Sequence, residues 1–267
     1  MKKYQGVFRV RFINALQYRA AAAAGVATQF AWGFMEILAF TAFYRTNPRA
    51  FPMEFSQTVS YIWLQQAFLA LFMMWFWEND VAGAIESGSI AYELARPMDL
   101  YARWFSQACA NRMARALLRC VPILLVAFMV PDPFRLSLPP NFTQFVMFLF
   151  SAALSLGVVV AISMLAYVSI FYTLSSTGVR AILTTAVGFL AGEYIPIPFF
   201  PPSFRAIVEA LPFAAMQNMP LRIYSGNISG VNAFRAIALQ LFWLTVLLII
   251  GRMAMNRALK RVIIQGG

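Results

Sequence analysis

Six long apolar runs, set apart by short polar segments, constrain this chain more than any other feature. A stretch of about 20 apolar residues is long enough to cross a bilayer as a helix. The runs lie at about Ala20 to Tyr44, Val59 to Trp77, Phe105 to Val130, Phe142 to Phe171, Ala181 to Phe199 and Asn232 to Met253. They are continuous, so they do not suit the alternating ten-residue strands of a membrane β-barrel. The predicted fold is all-α: one polytopic membrane domain over residues 1–267 with six transmembrane helices. Charged residues make up 12% of the chain, about half the fraction of an ordinary soluble domain.

Several chemistries are excluded at once. Histidine is absent, which removes histidine-ligated metal and histidine-based catalysis. Cys109 and Cys120, if on one helix, lie roughly 16 Å apart, beyond disulfide reach. They read as packing residues. The three lysines, Lys2, Lys3 and Lys260, fall in no phosphate-cradling Gly-x-x-x-x-Gly-Lys run. No catalytic set, metal site or cofactor is expected in the chain itself. No cleavable signal peptide is expected either, because polar residues return soon after Lys3.

The net charge of +11 is not read as a nucleic-acid footprint, because the basic residues gather at span ends. With the N-terminus inside, the inner side collects Lys2, Lys3, Arg9, Arg11 and Arg19, then Arg96, Arg103, Arg112, Arg115 and Arg119, then Arg180, Arg252, Arg257, Lys260 and Arg261. The outer side collects Arg45, Arg49, Arg135, Arg205, Arg222 and Arg235. The excess of Lys and Arg inside predicts that both termini are cytoplasmic.

Three segments outside the spans carry further expectations. Residues 2–18 place Tyr4, Val7, Phe8, Phe12, Ala15 and Leu16 at helical spacing. They predict an interfacial helix, or else a plain basic segment that sets topology. Residues 83–101 are the most polar long stretch. With Glu78 and Asp80 just before them, they hold five of the ten acidic residues. A short helix is expected from about Ser89, ended by Pro97, with Ile90 and Leu94 on one face and Glu86 and Glu93 free. By spacing alone this is a contact surface for a soluble partner or an ordinary loop. Residues 200–226 are apolar yet broken by prolines. They predict short helices folded back into the outer face, because broken backbone at membrane depth must be packed by protein or line a cavity.

Polar residues inside the spans mark candidate functional positions. Gly25, Gln29, Gly33 and Glu36 share one face of the first span. That face either packs on a partner helix or lines a transport path. Arg112, Arg115 and Arg119 share one face of the third span. They either snorkel to inner-leaflet phosphates or form a positive inner vestibule. Ala181, Thr184, Gly188 and Gly192 form a small-residue stripe in the fifth, with Glu193 after it, near the outer surface. The sequons at Asn141 and Asn227 are read as chance.

Three motifs carry a resemblance. They are Glu86-Ser-Gly-Ser-Ile-Ala-Tyr-Glu-Leu-Ala-Arg-Pro97, then Ile195-Pro-Ile-Pro-Phe-Phe-Pro-Pro202, then Leu211-Pro-Phe-Ala-Ala continuing through Pro220 to Ile223-Tyr-Ser-Gly226. In that order the chain resembles ABC-2-type transporter permeases, in the branch where two related six-span permeases pair with an ATPase. One departure is Ala191-Gly192-Glu193, where the family pattern has a Ser-Gly pair without an acid.

The resemblance implies an ATP-driven exporter subunit in the bacterial inner membrane that performs no bond chemistry itself. ATP and Mg would sit on partner ABC ATPase subunits. A second homologous permease, or a copy of this chain, would complete the pathway, and nucleic acid has no part. Glu86, Gly88, Ile90, Tyr92, Glu93, Leu94, Arg96 and Pro97 would then couple to the ATPase. Gly25, Gln29, Gly33, Glu36, Arg112, Arg115, Arg119, Gly188 and Glu193 would lie on the path or the permease interface. The alternative is a secondary, ion-coupled transporter using Glu36.

Overall fold

The computed structural model describes residues 2–17, 19–46 and 51–261. Tyr18, residues 47–50 and the two chain ends lie outside them, and with them the end of the segment 2–18 and the outer-side Arg49. Helices joined by turns and loops make up the described residues, which include no strand. Three helices are long and apolar enough to cross a membrane by length and composition: Ala22–Thr46 within α2 (Arg19–Thr46), α8 (Phe142–Thr173) and α13 (Gly230–Leu259). α8 is the centre, with 56% of its apolar window buried against 17% for α2 and for α13. α7 (Leu100–Met129) is as long as α13 but carries Arg103, Arg112, Arg115 and Arg119.

α1 (Lys2–Leu16) forms where the N-terminal helix was expected. Tyr4, Val7, Phe8, Phe12, Ala15 and Leu16 are half-buried, and Arg11 joins them. This face docks on α7 rather than lying free. Ser106 Oγ donates to the Tyr4 carbonyl at 3.1 Å, and the Asp99 N–H donates to the Tyr4 hydroxyl at 3.1 Å. Val10 and Ile13 remain exposed on the other side.

The second apolar run is not one helix. α3 (Phe55–Ala67) stops at Phe68, and α4 (Leu69–Phe72) adds one turn. Met73 is then extended, and α5 (Asn79–Glu86) begins six residues later. The physical reason is Arg112, 2% exposed. Its guanidinium donates to the Met73 carbonyl at 2.6 Å, to the Phe76 carbonyl at 3.0 Å and to the Ala70 carbonyl at 3.4 Å. The last carbonyls of a helix have no intrahelical partner; here a buried cation supplies one.

The fifth run also departs from expectation. Its helix is short: α9 (Ser176–Ile182), a π-helical turn (Leu183–Val187) and α10 (Gly188–Leu190). It ends at Gly192, whose φ of +80° favours glycine. The chain then climbs through a 3-10 turn (Ile197–Phe199) to α11 (Pro202–Ala210) and α12 (Asn218–Tyr224). The segment 200–226 thus holds short helices, as its prolines predict. α12 is buried against α8 and α3. Gln240 of α13, fully buried, locks the segment between them. Its Nε2 donates to the Ala215 carbonyl and to Ser155 Oγ, both at 2.9 Å, and Ser151 Oγ donates to its Oε1 at 2.7 Å.

The two ends of the bundle are distinct. At one, α6 (Ile90–Leu94) lies with α1, the start of α7 and the end of α13. Lys3 donates to the Pro97 carbonyl, and Arg252 pairs with Asp99 at 3.3 Å. At the other, Trp63 donates to the Phe134 carbonyl at 2.8 Å. Gln144 reaches the Ile223 carbonyl there, and Asn141 caps α8 by accepting from the Gln144 N–H.

Candidate functional site

The face of α2 read from its spacing lies on a cavity. Gly25, Gln29 and Glu36 line it together with Gln65, Gln66, Arg119 and Glu193. Its volume is about 660 Å³. Trp32, Met35, Trp75, Phe76 and Tyr194 supply apolar wall. Trp32, Met35 and Trp75 are about half-exposed, so the cavity opens sideways past them.

Each expected residue has a definite place. A Cβ on Gly25 would lie 3.0 Å from the Arg119 guanidinium, so glycine there lets that side chain cross toward α2. A Cβ on Gly33 would lie 3.1 Å from Gln66, so Gly33 is a close-packing position against α3. A Cβ on Gly188 would lie 2.8 Å from a Glu193 carboxylate oxygen. Glycine there makes room for the acid. Arg112 is a correction: it caps the broken helix and lines neither this cavity nor the one beside it. Arg115 is separated from the group. It lines a second cavity nearer the α6 end.

Glu193 is also a correction in depth. It is 9% exposed, and its carbonyl accepts from Gln65 Nε2 at 2.7 Å. Gln65 sits ten residues into α3, roughly 15 Å from where that helix starts. Glu193 therefore lies well inside the bundle rather than near the outer surface. Gly192 and the short α10 put it there.

Sequence reasoning overlooked the Gln65-Gln66 pair. Two amides inside an apolar run are costly in lipid and mark function, and that was the available signal. Gln29 Oε1 and Nε2, Glu36 Oε1, Gln65 Oε1 and Gln66 Oε1 are buried and make no hydrogen bond among the described residues. A buried polar group left unpaired costs about 1–3 kcal/mol. The surface the cavity presents is nonetheless mostly apolar.

A second group went unread. Glu78, 5% exposed, accepts from Asn111 Nδ2 at 2.6 Å and from Gln107 Nε2 at 3.3 Å. Gln107 also reaches Asp80 at 2.8 Å, and Arg11 pairs with Asp80 at 3.0 Å. Gln107 and Asn111, at i and i+4 on α7, were the signal. This network ties α1, α5 and α7 together just below the helix break.

The segment 83–101 packs on the α1, α7 and α13 end of the bundle with one side exposed, and its residues divide differently from the expectation. α5 runs through Gly83, and Gly88, at φ +73°, ends its turn. Ile90 is 3% exposed and belongs to the chain's own core, so it cannot share an exposed face with Leu94. Tyr92, 79% exposed, and Leu94 carry the outward apolar surface. Glu86 and Glu93 are not free. Glu93 pairs with the buried Arg103 of α7, and Arg96 lies 3.8 Å from it. Glu86 accepts from the Ser176 N–H at 2.5 Å, the first residue of α9. The Ser176 side chain and backbone hold the Glu86 carboxyl below the usual carboxylate range. A carboxylate at a helix N-terminus is favoured by the helix dipole as well.

The geometry is thus a helical bundle with a largely apolar cavity that several buried amides and carboxyls border, and a partly exposed segment wired to two of its helices. The family described as ABC-2 family transporter protein matches residues 30–266. This chain belongs to that family. No curated protein sequence matches it. As an ABC-2 permease it is the membrane component of an ABC transporter, a role that is generally non-catalytic and associated with an ABC ATPase. The family match spans the cavity residues from Trp32 onward, the exposed segment and the short helices of residues 202–224.

Proposed function

We propose that this permease is the pathway-forming subunit of an ATP-driven exporter in a bacterial inner membrane, with its ATPase docked on residues 83–101. The observation that carries the reading is the mid-depth cavity lined by Gln29, Glu36, Gln65, Gln66, Arg119 and Glu193. Its mostly apolar lining, with a few amide and carboxyl groups at the wall, suits cargo that is largely apolar. The open side past Trp32 and Met35 is where a second permease, homologous or identical, completes the path.

Coupling follows from the contacts of the exposed segment. A partner pressing on Tyr92 and Leu94 pushes Glu93 against Arg103 of α7. It also pushes α5, and through Glu86 it moves the start of α9. α9 leads through the π-helical turn to Gly188 and Glu193 at the cavity. π-helical turns often sit at functional positions. ATP closing the ATPase pair therefore biases one of two cavity states. A ligand or partner shifts such an equilibrium only by its differential affinity for the two.

Orientation supports docking from the cytoplasm, because the basic residues gather at the end that carries α6. Single cysteines at Ser56 and Ser225, with Cys109 and Cys120 replaced by alanine, should react with an impermeant thiol reagent from outside. Labelling of either only from the cytoplasmic side would invert the scheme.

Glu36, with one unpaired buried oxygen, also suits an ion-coupled secondary transporter. Glu36→Gln separates the two. In the ATP-driven reading it leaves insertion intact and changes ATP hydrolysis by the assembled complex several-fold. Hydrolysis unchanged, with uptake or release driven by a proton gradient alone, would favour the secondary transporter.

A further inference from the structure

The second cavity lies closer to the α6 end than the first and has a different chemistry. It holds about 630 Å³ between α1, α2, α7 and residues 76–80. Arg115 and Arg119, at i and i+4 on α7, project side by side into it. Their guanidinium carbons lie 5.5 and 5.3 Å from the centre of the Phe76 ring. Among the described residues neither makes a hydrogen bond or an ion pair, although both are half-buried. Two neighbouring cations held this way repel each other and gain from a shared anion.

The acids on the same wall do not serve that purpose. Asp80 already holds Arg11 and Gln107, and Glu78 already accepts from Gln107 and Asn111. Both arginines line the cavity, and Asn14 and Asn111 line it with them. Guanidinium groups match the oxygens of a phosphate group in pairs.

We propose that this cavity binds the phosphate of an anionic phospholipid from the adjoining leaflet. Arg115 and Arg119 hold the phosphodiester, and the acyl chains leave along Ala15, Ala22 and Leu118 between α1 and α2. The apolar lining on that side favours a lipid over a free ion. So does the exposed face of α1, where Lys2, Lys3 and Arg9 lie beside Val10 and Ile13, as on a helix resting at a membrane surface. Basic pockets between membrane helices are suited to anionic headgroups. The site is independent of how transport is driven. It abuts the transport cavity, since Phe76 and Arg119 line both. A bound lipid would therefore fix the side chains that divide the two.

The test uses the full-length chain purified in neutral detergent. Its melting temperature is measured with added phosphatidylglycerol, phosphatidylcholine or inorganic phosphate, and bound lipid is counted by native mass spectrometry. Phosphatidylglycerol should raise the wild-type melting temperature by about 5 °C over phosphatidylcholine and give one retained lipid. The double variant Arg115→Gln/Arg119→Gln should lose both effects. Arg257→Gln, an exposed charge on α13, should keep both. Equal shifts with the two lipids, or a retained shift in the double variant, would overturn the site. A shift with inorganic phosphate equal to that with phosphatidylglycerol would overturn the lipid assignment. Should the double variant fail to fold, Arg115→Gln alone is read by the lipid count, and an unchanged count overturns the proposal.

Discussion

Arg112→Met yields little or no folded permease. The substitution keeps a long apolar stem but removes every donor that serves the Ala70, Met73 and Phe76 carbonyls. Each carbonyl left buried and unpaired costs about 1–3 kcal/mol. Three of them approach the whole stability of an ordinary domain, about 5–15 kcal/mol. Arg112→Lys keeps the charge but loses the fork that spans three acceptors, so it should fall between the two. Expression in the membrane fraction and melting in detergent read the series. Wild-type melting in Arg112→Met would show that the break after Phe72 is held by something else. Arg115→Gln, three residues away with no such bonds, should melt close to the wild type.

The second large effect concerns the exposed segment. Tyr92→Asp/Leu94→Asp should release the ATPase while the permease stays inserted and monodisperse. Both side chains point outward, so the change costs the free subunit little. At an interface, central apolar and aromatic anchors carry most of the binding energy, typically 2 kcal/mol or more each. Loss of two anchors corresponds to a weakening of at least about a hundredfold. Ile90→Asp should instead destabilise the permease itself, because Ile90 packs in its core. Glu93→Ala should damage the relay to Arg103 more than docking. It leaves the ATPase bound but its hydrolysis less dependent on the permease.

The division between what sequence disclosed and what it hid follows physical lines. The N-terminal helix face, the stripe from Gly25 to Glu36 and the short helices after Pro201 were legible. Each rests on local periodicity or on proline. The break after Phe72 was not legible, because Phe68 to Trp77 holds no glycine or proline. What interrupts it is an arginine some forty residues away. Glu193 was misplaced because counting residues assumes a helix of full length, and the π-helical turn with Gly192 ends that span early. Ile90 and Leu94 seemed to share a face by spacing, but a five-residue helix leaning on a bundle buries one side wholly. Glu86 and Glu93 looked free because their partners, Ser176 and Arg103, belong to other helices. Gln65 and Gln66 needed no structure to be noticed; only their convergence on the cavity with Glu36 and Glu193 did.

ATP hydrolysis by the complex purified through this chain tests the central claim most directly. The wild-type chain, extracted in mild detergent and isolated by a tag, should bring with it a P-loop ATPase that hydrolyses ATP. Tyr92→Asp/Leu94→Asp, recovered in equal amount, should bring at least tenfold less hydrolysis. No hydrolysis with the wild-type chain, or equal hydrolysis with the variant, would contradict an ATP-driven permease coupled through residues 83–101.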